Sequence, residues 1–138
     1  MPNLKKDRLL FILNPIAGRT HGKKGLHNAI EILKEHYNIV MKKTDSKGHA
    51  TELVLEYGDK YDLIVCSGGD GTLNEVISGI MQLEKKVLLG YIPSGTTNDF
   101  ASSLNISNHM DVAAMSIING TPRTIDIGLF GEKRYFSY

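Results

Sequence analysis

Residues 62–76 read DLIVCSGGDGTLNEV. Asp62 to Cys66 is a short apolar run of strand type. It passes directly into Ser67-Gly68-Gly69-Asp70-Gly71-Thr72, and Leu73, Val76, Ile77 and Ile80 then recur at helical spacing. Strand, Gly-rich turn and helix in that order form one half of a crossover unit. If the flanking sequence repeats the plan, the chain is an α/β protein built on a mainly parallel sheet.

It does repeat. Upstream, Arg8 to Leu13 (RLLFIL) reads as a buried strand stopped by Asn14-Pro15. A long basic loop follows, after which Leu26, Ala29, Ile30, Leu33 and Tyr37 recur at helical spacing, giving a helix over about Lys24 to Glu35. Asn38 to Lys42 reads as a second strand and Thr44 to Gly48 as a loop. Ala50, Leu53, Val54 and Tyr57 form the stripe of a second helix. Downstream, Val87 to Ile92 is a fourth strand halted by Pro93, and Ser94 to Asp99 is a second polar, Gly-containing loop. A short helical segment spans Phe100 to Leu104. A longer helix carries Met110, Ala113, Ala114, Ile117 and Ile118, with Ser107 or Asn108 as its cap and Asn119-Gly120 as its end. Arg123 to Phe130 and Arg134 to Tyr138 then read as two strands of a hairpin around Gly131-Glu132. The expected fold is doubly wound, with helices on both faces, right-handed crossovers and ligands at the carboxyl ends of the strands.

Composition agrees and excludes several function classes. The chain has 138 residues, 41% of them hydrophobic, which suits one globular domain. Sixteen basic residues against 15 acidic leave a formal charge of +1, so no global field favours nucleic acid. The single cysteine, Cys66, rules out a disulfide framework and reads as core on its apolar strand. No apolar run approaches the ~18 residues of a membrane span, and the N-terminal residues lack a signal-peptide core. A cytoplasmic location is expected. Fourteen glycines stand out, because many fall in the loops after strands one, three and four.

In the loop after the third strand, Gly69 and Gly71 let backbone approach a ligand closely, while the free N–H groups of the new helix favour an anion such as phosphate. Asp70 puts a negative charge in the same place, and it tolerates phosphate only with a divalent cation or a hydroxyl donor between them. Thr72 can cap the helix or bond a phosphate oxygen. Asn74 and Glu75 lie in the first turn, where Glu75 also complements the dipole of its own helix. In Asn14-Pro15-Ile16-Ala17-Gly18 the small residues permit close approach. Arg19, His21, Lys23 and Lys24 either meet phosphates or form a solvated surface. Neither GxxxxGK[ST] nor GxGxxG is satisfied. Thr96 and Asp99 in the third loop offer a hydroxyl and a carboxylate, Asp99 as a helix cap or as part of a metal network. Asp126, between isoleucines in a strand, either faces solvent or has a cation nearby. The five histidines show no metalloprotease spacing, and His49 reads as a surface residue.

Taken together, GGDGTLNEV (68–76) and IPSGTTNDFA (92–101) resemble the catalytic domain of the diacylglycerol kinase family, particularly its soluble bacterial members. The resemblance runs from NPIAG through Thr44 and Gly48-His49-Ala50 to Ile125-Asp126-Ile127-Gly128. It departs at Ser102, where many members carry arginine. NAD kinases share GGDGT but not NDFA. The resemblance implies ATP contacts from Asn14, Pro15, Ile16, Ala17, Gly18, Thr44, Gly69, Asp70, Gly71, Thr72, Leu73, Asn74, Glu75 and Thr96. It also implies a water-and-Mg²⁺ network on Asp70, Asp99 and Asp126, the expected catalytic and metal residues. Asp70 either orients metal-bound water or takes the proton of the lipid hydroxyl. The implied activity is transfer of the γ-phosphoryl of ATP to a lipid hydroxyl, that of diacylglycerol, at the membrane surface.

The family carries a second, β-rich domain with further ligands. The resemblance therefore divides this chain into a nucleotide-binding α/β domain over 1–128 and, over 129–138, the start of that second domain. The remainder is expected in cis, and the isolated chain is expected to be inactive. Transient peripheral membrane contact fits a kinase of lipids, with Lys5, Lys6 and Arg8 read first as an exposed basic tail and otherwise as an aid to that contact, and a homo-oligomer is compatible with the sequence. The competing expectation is a non-catalytic nucleotide-binding regulatory or interaction module.

Overall fold

Five consecutive apolar residues, Leu9 to Leu13, decide the position of β1 (Asp7–Leu13): all five are buried, as a strand covered on both faces requires. The computed structural model describes residues 7–15, 23–84, 87–94, 106, 109–120, 123–127 and 132–136. Among these, β1 is followed by α1 (Lys23–Lys34), β2 (Tyr37–Lys43), α2 (His49–Tyr57) with a short 3₁₀ turn (Gly58–Lys60), and β3 (Leu63–Gly68). Then come α3 (Asp70–Gln82), β4 (Leu88–Pro93), α4 (Met110–Asn119), β5 (Arg123–Ile127) and β6 (Glu132–Phe136). The sheet order is β2-β1-β3-β4-β6-β5. β2, β1, β3 and β4 run parallel, β6 joins β4 in parallel through Leu89 and Phe136, and β5 and β6 form an antiparallel hairpin. The sheet is mainly parallel and doubly wound, as the sequence pattern implies.

Strand alternation sends successive side chains into two cores. Leu10, Ile12, Ile64, Cys66, Leu89 and Tyr91 pack with Ala50, Leu53 and Val54 of α2 and Leu73, Val76, Ile77 and Ile80 of α3. Leu9, Phe11, Leu13, Leu63, Val65 and Ile92 face Ala29 and Leu33 of α1 and Met110, Ala113, Ala114 and Ile117 of α4. Each fully buried Leu, Ile or Phe stabilises the fold by about 1.5–3 kcal/mol, so removing either helical layer would expose more apolar surface than a domain of this size tolerates. Cys66 is a core residue, as expected. Its thiol pKa is raised by burial first and by the nearby Glu75 charge second, so it stays protonated and unreactive at neutral pH.

Several boundaries differ from the sequence reading. β3 continues through Ser67 and Gly68, both fully within the strand, so the turn to α3 shrinks to Gly69. The pairing of Gly68 with Pro93 of β4 holds this extension, a cross-strand contact invisible in a local window. The N-cap position of α4 is His109, without a side-chain cap, rather than Ser107 or Asn108, which lie outside the described residues. Tyr37 opens β2 rather than extending the stripe of α1, which ends at Lys34, and Glu132 belongs to β6 rather than to the hairpin turn. Arg8 is no free basic side chain: its guanidinium lies 4.7 Å above the Tyr61 ring and donates to the Tyr61 hydroxyl at 3.2 Å. Lys5, Lys6 and the segment from Phe100 to Leu104 fall outside the described residues.

Candidate functional site

In this strand order the chain leaves β1 toward β2 over one face and leaves β3 toward β4 over the other. The carboxyl ends of β1 and β3 therefore form the switch point at which loops diverge and open a crevice. A cleft of about 500 Å³ lies there, lined by Asn14, Thr44, Asp45, Ser46, Lys47, Gly69, Gly71, Thr72 and Glu75. Three loops contribute, one each from β1, β2 and β3.

Backbone hydrogen bonds lock the floor. Thr44 N–H donates to the Leu13 carbonyl at 2.8 Å, Asn14 N–H to the Ser67 carbonyl at 3.0 Å and Ser94 N–H to the Gly68 carbonyl at 3.0 Å. Each strand end is thus tied to the next after the regular ladder stops. The Gly68 carbonyl also accepts the Tyr91 hydroxyl at 3.0 Å. Burial, then the neighbouring Cys66 and Asp70, raise the Tyr91 pKa, so this donor keeps its proton.

Gly69 is the N-cap residue of α3, with extended backbone and no capping side chain, so Asp70 opens the helix and Thr72 sits inside it. Thr72 therefore does not cap. It is buried, and its hydroxyl accepts a hydrogen bond from Asn14 Nδ2 at 3.1 Å, joining the loop after β1 to α3. Gly69 and Gly71 present backbone to the cleft at a helix start, the arrangement that receives an anionic group. Asp70, half-buried between them, lies close enough to Tyr91 to shift its pKa.

Glu75 departs from the reading that it serves its own helix. Its Oε1 accepts the Ala50 N–H of α2 at 3.3 Å, and the Thr51 hydroxyl donates to its backbone carbonyl at 2.6 Å. His49 is only partly exposed at the surface. Its side chain is 23% exposed, and its Nδ1 accepts the Asp45 N–H at 3.0 Å, folding the loop after β2 back on α2.

Of the sequence-derived site residues, Asn14, Thr44, Gly69, Gly71, Thr72 and Glu75 are brought together in one cleft. Pro15 lies beside it and is exposed, Leu73 is buried in the core beneath α3, and Asn74 is exposed on that helix. Asp126 is on the edge strand β5, in register with Lys133 of β6. Ile16, Ala17, Gly18, Thr96 and Asp99 lie outside the described residues, as does the NDFA segment. The residue-level reading missed Asp45, Ser46 and Lys47. Their only signal was a position just after a strand, and that matters only once β2 is known to lie beside β1.

Among the described residues no group of three or more His, Cys, Asp or Glu side chains stands close enough to hold a metal alone. Magnesium carried by a polyphosphate needs less: one or two protein carboxylates, the other positions being phosphate oxygens and water. Asp70, a hard oxygen donor at the anion-favouring end of α3, fits that limited role. No helix among the described residues is long and apolar enough to cross a membrane.

The architecture has close counterparts. The chain is 40% identical over 129 residues to the diacylglycerol kinase of Bacillus subtilis (strain 168), covering 91% of this chain and 42% of that protein. It is 38% identical over 133 residues to the diacylglycerol kinase of Staphylococcus aureus (strain MRSA252), covering 95% and 42%. The crystal structure of a diacylglycerol kinase from Bacillus anthracis str. Sterne superposes with a TM-score of 0.79 at 32% identity, covering 89% of this chain and 42% of that one. The chain thus spans about two-fifths of the length of the curated relatives it matches. The family profile described as the diacylglycerol kinase catalytic domain matches residues 8–130, the whole span from β1 through the switch-point cleft to β5, and the chain belongs to that family.

Proposed function

We propose that the cleft binds ATP, and that this chain is the nucleotide-binding part of a lipid kinase transferring the γ-phosphoryl of ATP to the hydroxyl of diacylglycerol. The observation that carries the reading is the meeting of Asn14, Thr44, Gly69, Gly71 and Thr72 around one crevice at the β1/β3 switch point of a family member. In this reading the N–H groups at the start of α3 receive phosphate oxygens, with Gly69 and Gly71 leaving room for them. Asn14 and Thr72, bonded to each other, hold the loops after β1 and β3 at a set separation. Thr44, anchored to Leu13, fixes the wall contributed by β2. Asp70 is the carboxylate that meets the magnesium of MgATP, with Asp99 and Asp126 as its proposed partners in a water network. Bound magnesium would supply charge neutralisation on the transferring phosphoryl group, and catalysis is then mainly positioning and electrostatics. The lipid substrate is met at a membrane surface by transient peripheral contact of a cytoplasmic protein, and the rest of the lipid site lies in the length that the relatives have beyond this chain.

The test is transfer of labelled phosphate from ATP to diacylglycerol by the whole gene product in the presence of Mg²⁺, with Asp70→Asn as the comparison. Labelled lipid that disappears in the variant supports the reading. Undiminished labelling in Asp70→Asn removes Asp70 from the chemistry. ATP binding with a protein partner but without lipid product would favour a regulatory module. The 138-residue chain alone should bind ATP weakly and turn over negligibly.

A further inference from the structure

The wall of the cleft formed by Thr44, Asp45, Ser46 and Lys47 runs between two fixed points. At one end Thr44 N–H is bonded to the Leu13 carbonyl at 2.8 Å, so the end of β1 holds it. The other end is the start of α2, with only Gly48 between Lys47 and the first helical residue. That start is held in part by its own loop: His49 N–H donates to the Ser46 carbonyl at 3.2 Å, and Asp45 N–H to His49 Nδ1 at 3.0 Å. Gly48 occupies the N-cap position with φ of 87° and has no side chain to cap with, so the next amide, that of Ala50, takes its acceptor from elsewhere.

The acceptor comes from α3. Glu75 Oε1 takes the Ala50 N–H at 3.3 Å, the position of favourable charge at a helix N-terminus, and the Thr51 hydroxyl bonds the Glu75 carbonyl at 2.6 Å. One turn further along α3, Gly79 lies so close to α2 that an added Cβ would stand 2.7 Å from the Val54 Cβ. Glu75 and Gly79, at i and i+4, therefore share the stripe of α3 that grips α2. The gripping carboxylate is itself one of the residues lining the cleft.

We propose that Glu75 is a positioning residue of the cleft. By capping α2 from across the helix pair, its side chain sets where the Thr44–Lys47 wall stands against the anion-receiving end of α3. A hydrogen-bond acceptor is what the position needs, and glutamine keeps one while alanine does not. This rests on the reading of the cleft as a nucleotide site, and the experiment separates the two.

The 138-residue chain, Glu75→Gln, Glu75→Ala and Ile117→Val are compared by calorimetric titration with MgATP and by amide hydrogen exchange over residues 44–52. Ile117, buried against the opposite face of the sheet, supplies a loss of stability remote from the cleft. Glu75→Ala should weaken ATP binding by about five- to tenfold, the consequence of one lost charge-assisted hydrogen bond, and should speed exchange of the Ala50 amide. Glu75→Gln should stay within about twofold of the parent chain and keep Ala50 protected, because its amide oxygen still accepts. Ile117→Val should leave ATP affinity unchanged. If Glu75→Gln binds ATP as poorly as Glu75→Ala, the carboxylate acts directly on the nucleotide or its metal and the proposal is overturned. It is also overturned if Glu75→Ala leaves Ala50 protection unchanged, or if Ile117→Val weakens ATP as much. Failure of the unsubstituted chain to bind ATP would strike the nucleotide reading, while the exchange data would still decide whether Glu75 holds the wall.

Discussion

Gly68 and Thr72 are packed so tightly that a methyl group at residue 68 would stand 2.9 Å from both Cβ and Oγ1 of Thr72. Gly68 ends β3 and Thr72 lies in the first turn of α3, with a one-residue turn at Gly69 between strand and helix. Gly68→Ala should therefore force strand and helix apart and cost about 1–3 kcal/mol of stability. In urea titrations, Gly68→Ala in a Thr72→Gly background, where the Cβ and Oγ1 of residue 72 are both gone, should cost clearly less than it does alone. Equal costs in both backgrounds would show that the two residues do not press on each other.

The Asn14 to Thr72 hydrogen bond at 3.1 Å ties the first loop to the third. Asn14→Ala should lower stability by about 1 kcal/mol. Asn14→Asp should cost less, since the Thr72 hydroxyl can rotate and donate to a carboxylate, yet it should bind ATP more weakly because a negative charge enters the cleft. Urea titration and calorimetry on the two variants separate the tie from the charge.

Gly79 reverses the usual helix rule. In an exposed helix interior, glycine to alanine stabilises by up to about 1 kcal/mol. Here the new Cβ would meet the Val54 side chain at 2.7 Å and the Thr51 carbonyl at 3.2 Å. Gly79→Ala is expected to lower the melting temperature, and to lower it by less in a Val54→Gly background, where the Cβ and Cγ1 that it would meet are both gone. A melting temperature that rises in Gly79→Ala would mean that α2 and α3 are not held so closely.

Cys66 and Tyr91 are both buried and both hold their protons more tightly than their ordinary values of 9.0 and 10.0. Above pH 9 the unfolded chain loses protons that the folded chain keeps, so stability is at its full value below pH 9 and falls as pH rises. Each group contributes a slope of about 1.4 kcal/mol per pH unit once its unfolded form is ionised. Cys66→Ala should cost stability at every pH through its cavity but show a shallower fall between pH 9 and 10.5, read from urea midpoints across that range.

Most of the α/β plan was legible because its elements are local. β1 and β3 are apolar on both faces, so their strands read as unbroken runs, and the stripes of α2 and α3 named the residues that are in fact buried. The residue pattern also located the strand-to-helix turn, where Gly69 precedes the start of α3. What the local reading misassigned were side chains with more than one plausible partner. A threonine and a glutamate read as first-turn residues suit that helix's own N-terminus equally well, yet Thr72 bonds Asn14, and Glu75, which lies beyond the first turn because α3 starts at Asp70, bonds Ala50.

By itself, then, the sequence determined the strand-helix alternation, the two-sided core and the resemblance that placed the chain in its family, since periodicity and contiguous motifs are properties of neighbours along the chain. Only the tertiary structure decided the strand order and the lining of the cleft. The order β2-β1-β3-β4 brings the otherwise ordinary polar segment Asp45-Ser46-Lys47 beside Asn14 and Gly69, and it turns Glu75 into a cap for a different helix. The Glu75–Ala50 contact spans 25 positions because stacking two helices on one face of a twisted sheet places α2 beside α3, and the Asn14–Thr72 contact spans 58 because β1 lies beside β3.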